Sequence, residues 1–83
     1  MIQDAARQHC NAILTELERR GAAHQEVWHG DEISFETPGG VLRPKAMDNQ
    51  DEWEVVWEAA GREPLLLTHL SPEDAAAAIQ RSS

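Results

Sequence analysis

Positive charge is scarce in this chain, where 7 Lys and Arg stand against 15 Asp and Glu for a formal net charge of -8. Nucleic-acid binders displace condensed counterions with a basic footprint. Only Arg19-Arg20 and the Arg43/Lys45 pair are locally basic, which argues against direct contact with nucleic acid. Cysteine is down to one residue, Cys10, so no internal disulfide can form and nothing in the framework demands an oxidising compartment. No apolar run approaches the roughly 20 residues of a membrane span. Met1 to Arg20 interrupts its apolar residues with Gln3, Asp4, Arg7, His9 and Asn11, whereas a secretory leader needs a continuous apolar stretch. A cytoplasmic location away from membranes is expected. A phosphate-cradling loop is also missing, because Pro38-Gly39-Gly40 has neither the Lys nor the following helix that such a loop requires.

What the chain does hold is 41% hydrophobic residues within 83, a mixture that reads as folded and well solvated rather than disordered. That length suits one α+β domain, residues 1–83, with a single modest core that leaves little volume for an enclosed pocket. Six of the seven basic residues are Arg and twelve residues are Ala, a usage associated with GC-rich bacterial or phage genomes.

Ile2, Ala6, Cys10, Ile13, Leu14 and Leu17 recur at helical spacing, which predicts an amphipathic helix from about residue 3 to 20, ended by Gly21. The period then changes to two. His24 to His29 forms a candidate strand, Gly30-Asp31 a tight turn and Glu32 to Thr37 a second strand, with Ile33 and Phe35 on one face and Glu32, Ser34 and Glu36 on the other. Thr37-Pro38-Gly39-Gly40 fits a type II turn. Val41 to Arg43 returns as a third strand that Pro44 ends, and Pro44 to Asp51 reads as a polar loop. Trp53 to Ala59 alternates again, setting Trp53, Val55 and Trp57 against Glu54, Val56 and Glu58. Leu65 to Thr68 makes a short fifth strand. Ser71-Pro72-Glu73-Asp74 then opens a helix, with Ser71 as cap, Pro72 at the first position and two carboxylates at the positive end.

This order predicts a two-layer α+β sandwich, an antiparallel sheet of 4-5 strands with the N- and C-terminal helices on one face. In element order it resembles the double-stranded-RNA-binding domain and small toxin folds of similar layout. The resemblance extends to order alone, because Glu73 and Asp74 would meet phosphate with carboxylates. Ile13, Leu17, Phe35, Val55 and Trp57 are expected to meet in the core.

Catalytic and metal chemistry find no local support. His24 and His29 point to opposite faces, His9 and Cys10 diverge by about 100° around a helix, and no metal or cofactor is expected. Cys10 lies on an apolar stripe, where a small buried hydrophobe is the ordinary reading. Paired glutamates need two different environments to serve as acid and base, and alternating exposed glutamates supply none. The expectation is a non-enzymatic module.

Its partner-binding residues are expected to be Glu26, Trp28, Glu32, Glu36, Glu54, Val56 and Glu58. If Val27 points inward, Trp28 and Glu26 join the glutamates on the helix-free face, an apolar centre rimmed by acid. Like charges on neighbouring strands should cost some stability there unless a partner or cation compensates. A basic protein partner follows, often one that handles nucleic acid, which suggests an immunity protein, an anti-restriction or anti-CRISPR inhibitor, or a regulator of a nuclease or transcription factor. The alternative is a structural accessory protein that forms a homodimer through the same face, and a small enzyme ranks third.

Overall fold

An apolar stripe repeating every three or four residues must be turned inward along a helix. The computed structural model, which describes residues 2–46 and 52–82, places helix α1 at Ile2–Arg19 and buries Ala6, Cys10, Ile13, Leu14 and Leu17 along it. Gly21 ends the helix in the left-handed region, φ 85°. The Ala22 N–H reaches the Leu17 carbonyl and the Gly21 N–H that of Glu18, both at 2.9 Å, the bond pair of a Schellman terminus. Glu16 lies 3.0 Å from Arg19 Nη1 and 3.5 Å from Arg20 Nε, which holds two cations near the helix's negative end.

Five strands follow: β1 Gln25–His29, β2 Glu32–Thr37, β3 Gly40–Ala46, β4 Trp53–Glu58 and β5 Leu65–Leu66. They pair antiparallel in chain order, as one open meander. In the turn between β1 and β2 only Gly30 has positive φ, 66°, the type II′ pattern whose twist suits a hairpin. Gly39, φ 84°, takes the third position of the Thr37-Pro38-Gly39-Gly40 turn, as its type II sequence predicts.

Strand β3 departs from expectation, since it continues through Pro44 to Ala46. The reason lies in which way Pro44 faces. Val55 directs its backbone toward the β5 side: its carbonyl accepts from Leu67 N–H at 2.8 Å and its N–H donates to Thr68 Oγ1 at 3.0 Å. Pro44 is opposite Val55, so in the alternating antiparallel pattern it turns its nitrogen and carbonyl the other way, toward β2. The β2–β3 ladder has already ended there, running from Thr37–Gly40 to Phe35–Leu42. The absent N–H therefore takes nothing from the β3–β4 pairing, and Pro behaves as it does beside an unpaired edge. Residues 47–51 of the expected loop lie outside the described residues. Strand β5 is also shorter than expected, because Thr68 has left the ladder and uses its hydroxyl to accept the Val55 N–H.

Helix α2, Pro72–Ser82, starts as its sequence predicts, with Ser71 Oγ accepting the Asp74 N–H at 3.2 Å. It seats Ala75, Ala76 and Ile79 in the core, with α1 as its nearest neighbour, while α1 crosses β3 and β4. Ile13, Leu17, Phe35, Val55 and Trp57 share one buried cluster with Leu42, Leu67 and Ile79. Trp57 is the largest sealed side chain, and its Nε1 donates to Thr37 Oγ1 at 2.8 Å, which satisfies the only polar atom of the ring. The protein is α+β, with helix, five-stranded antiparallel sheet and helix in that order.

Candidate functional site

Register and the two-residue period of a strand assign every sheet side chain to a face. Phe35 is opposite Leu42, Leu42 opposite Trp57 and Trp57 opposite Leu65, and these residues lie on the side covered by α1. The other parity, the open face, carries Gln25, Val27, His29, Glu32, Ser34, Glu36, Val41, Arg43, Lys45, Glu54, Val56, Glu58 and Leu66. Five of the seven expected partner-binding residues therefore stand together: Glu32, Glu36, Glu54, Val56 and Glu58.

Glu26 and Trp28 do not join them. Glu26 is opposite Phe35 and Trp28 opposite Ile33, so both project from the helix side of the sheet, on edge strand β1, beyond the strands that α1 crosses. Trp28 stays 49% exposed. Its Nε1 donates to Glu26 Oε2 at 2.9 Å, and the Arg7 guanidinium lies 5.5 Å from its ring centre, a cation–π distance. A signal for this placement was present in the sequence. With Gly30-Asp31 as a two-residue turn and Ile33 inward, Trp28 must share the face of Ile33.

The open face is not uniformly acidic. Strand β3 lies between the glutamates of β2 and those of β4, and its outward residues include Arg43 and Lys45. Arg43 Nε is 3.2 Å from Glu58 Oε1, and Lys45 is directly opposite Glu54. The expected repulsion between strands is thus relieved by cations of the chain itself. Four carboxylates still outnumber two cations, so an acidic column on β2 and another on β4 flank a basic centre. Val56 is buried in its floor, while Leu66 is 53% exposed at the β5 end.

Where β2 separates from β3, a cleft of about 650 Å³ opens at the end of the sheet. Ile33, Trp28 and Trp53 line it on the helix side, and Arg43, Lys45 and Glu32 on the open side. Pro44 accounts for the opening, since it has no N–H to offer Ile33 across the gap.

Elsewhere the reactive side chains have structural work. Cys10 is sealed, and burial pushes its thiol from 9.0 up to about 12, so it stays protonated and unreactive near neutral pH. His9 Nε2 donates to the Leu67 carbonyl at 2.9 Å and its ring lies 5.8 Å from that of Trp53. His24 packs edge-on to Phe35, with Nδ1 3.3 Å from Glu18 Oε1 but out of line for a hydrogen bond. Among the described residues no group of three or more His, Cys, Asp or Glu is arranged to hold a metal ion, and no helix is long and apolar enough to cross a membrane. Neither protein-family models, curated proteins nor solved structures give a match to the chain.

Proposed function

We propose that the protein is a non-enzymatic protein-binding module that engages a basic, nucleic-acid-handling partner across its open sheet face, as an inhibitor, immunity or regulatory protein. The observation that carries this reading is the composition of that face. Glu32 and Glu36 on β2 and Glu54 and Glu58 on β4 flank β3, with Val41 between the two columns, Val56 within the β4 column and Leu66 beyond it on β5, while both helices occupy the opposite side. Apolar side chains interspersed with charged ones are what a protein–protein interface offers. The formal charge of -8 adds a long-range field that draws a basic protein toward it. Arg43, paired with Glu58, and Lys45, opposite Glu54 in the register, then fix register by rejecting partners whose positive charge falls at the centre rather than along the two columns.

Matched charge variants used as bait test this reading. One carries Glu32, Glu36, Glu54 and Glu58 changed to Gln. The other removes the same charge elsewhere, with Glu18, Glu63 and Glu73 changed to Gln and Asp74 to Asn. A basic protein held by the wild type and by the second variant but released by the first supports the open face. Equal loss with both variants would reduce the effect to net charge and refute the assignment.

A further inference from the structure

The two edges of the sheet are built differently, and one of them is left able to pair. Strand β5 is two residues long and follows Pro64, a blunt edge of the kind that resists strand addition. Strand β1 has five residues in unbroken register with β2 and contains neither Lys nor Pro. Across the Gly30-Asp31 turn the His29–Glu32 pair exchanges hydrogen bonds, and by alternation so do Val27–Ser34 and Gln25–Glu36. The backbone groups of Glu26 and Trp28 consequently point away from the sheet.

We infer that β1 is a homodimerisation edge, pairing antiparallel with β1 of a second copy about a two-fold axis at Val27, so that two five-stranded sheets join into one. This goes beyond the proposed function and does not depend on it. In this register Glu26 meets Trp28 of the second copy and Trp28 meets its Glu26. These are the residues whose N–H and C=O are free to exchange bonds, so backbone pattern and symmetry agree. The side chains agree as well. Glu26 of the second copy arrives beside Trp28, over which Arg7 is already stacked, so each new contact sets a carboxylate near a guanidinium and an indole N–H. Val27 meets Val27 on the open face, and Gln25 meets His29. No like charges fall directly opposite one another, an arrangement that any register pairing Glu26 with itself would lose. The half-exposed Trp28 becomes buried, which accounts for a large aromatic ring left at the rim of a small domain.

The test is sedimentation equilibrium of the full chain from micromolar to millimolar concentration, with three variants. Glu26→Pro removes an outward N–H, at a position on an edge strand where Pro is tolerated, together with the carboxylate that accepts from Trp28 Nε1, and should keep the wild-type far-UV spectrum while weakening the dimer roughly tenfold or more. Leu66→Lys, on the open face and far from β1, should leave the dimer intact. Val27→Cys should form an interchain disulfide under mild oxidation, since facing residues of a non-hydrogen-bonded pair lie about 4.5 Å apart, within disulfide range; the sealed Cys10 does not compete. A chain that stays monomeric at millimolar concentration, with no cross-link through Val27→Cys, overturns the inference. So does a dimer that Leu66→Lys disrupts and Glu26→Pro does not. Neither result touches the open-face proposal, which is read on a foreign partner.

Discussion

Gly40 opens β3 and is there for space rather than for backbone freedom, because its φ is not among the positive ones. A Cβ at this position would sit 2.5 Å from the Glu58 carbonyl oxygen and 2.6 Å from Cε2 and Cζ2 of Trp57. Ordinary carbon contacts lie at about 3.5–4.0 Å, so Gly40→Ala must drive the indole back by about 1 Å. That shift breaks the 2.8 Å bond from Trp57 Nε1 to Thr37 Oγ1 and strands a donor in a side chain that is 1% exposed. Overpacking contributes about 1–3 kcal/mol and the stranded donor about 1–3 kcal/mol, and because one motion relieves part of both, about 3 kcal/mol is expected. Urea denaturation followed by tryptophan emission and far-UV circular dichroism reads it. With a slope of about 1–2 kcal/mol per molar, the midpoint should fall by roughly 1.5–3 M. Gly61→Ala is the control, with φ 76° but nothing within 4 Å, and should cost only the left-handed penalty of about 1–2 kcal/mol. If Gly40→Ala proves no more costly than Gly61→Ala, the close approach of Trp57 to the hairpin is wrong.

Trp57→Ala should lower stability by about 3–5 kcal/mol, and an unchanged melting transition would contradict the strand phase that buries this ring. The Cys10 thiol titrates near 9.0 when unfolded and near 12 when folded, so above pH 9 the unfolded chain loses a proton that the native chain keeps. Stability should fall with rising pH by about 1.4 kcal/mol per unit between those values, and equilibrium denaturation at pH 8 and pH 10 should show this slope disappear in Cys10→Ala. Ser71→Ala removes the acceptor for the Asp74 N–H and should cost about 1 kcal/mol, measured as a shift in urea midpoint at constant slope.

How much of this was legible depended on whether an element carried its own phase. Helix α1 had a full apolar stripe and a terminating glycine, α2 had a Ser-Pro cap, and β2 and β4 alternated cleanly; each formed where its pattern indicated. Strand β1 had no such phase, because an edge strand outside the cover of α1 exposes both of its faces. Val27 and Trp28 then looked equally able to turn inward, and only the residue count through the Gly30-Asp31 turn decides between them. Pro44 misled for a related reason. A missing N–H ends a strand only when that N–H was needed, and which neighbour it faced follows from pairing with Val55 rather than from the tripeptide around it. Once β3 runs on to Ala46, Lys45 faces Glu54 and Arg43 reaches Glu58, so the acidic face acquires a basic centre that reading β3 only as far as Arg43 left incomplete.

The open face as the docking surface is tested most directly by the association rate of a captured basic partner, followed by stopped-flow fluorescence across a range of ionic strength. Wild-type protein is compared with the two matched charge variants. Steering by Glu32, Glu36, Glu54 and Glu58 predicts that changing these four to Gln slows association by roughly tenfold at low salt and flattens its salt dependence, with a smaller effect on dissociation. The Glu18, Glu63, Glu73 and Asp74 variant should slow association less, and the difference between the two variants should widen as ionic strength rises, because the Debye length shortens from about 30 Å at 0.01 M to about 10 Å at 0.1 M salt and screens the charges farther from the docking surface first. An open-face variant that associates at the wild-type rate with the wild-type salt dependence would contradict the account.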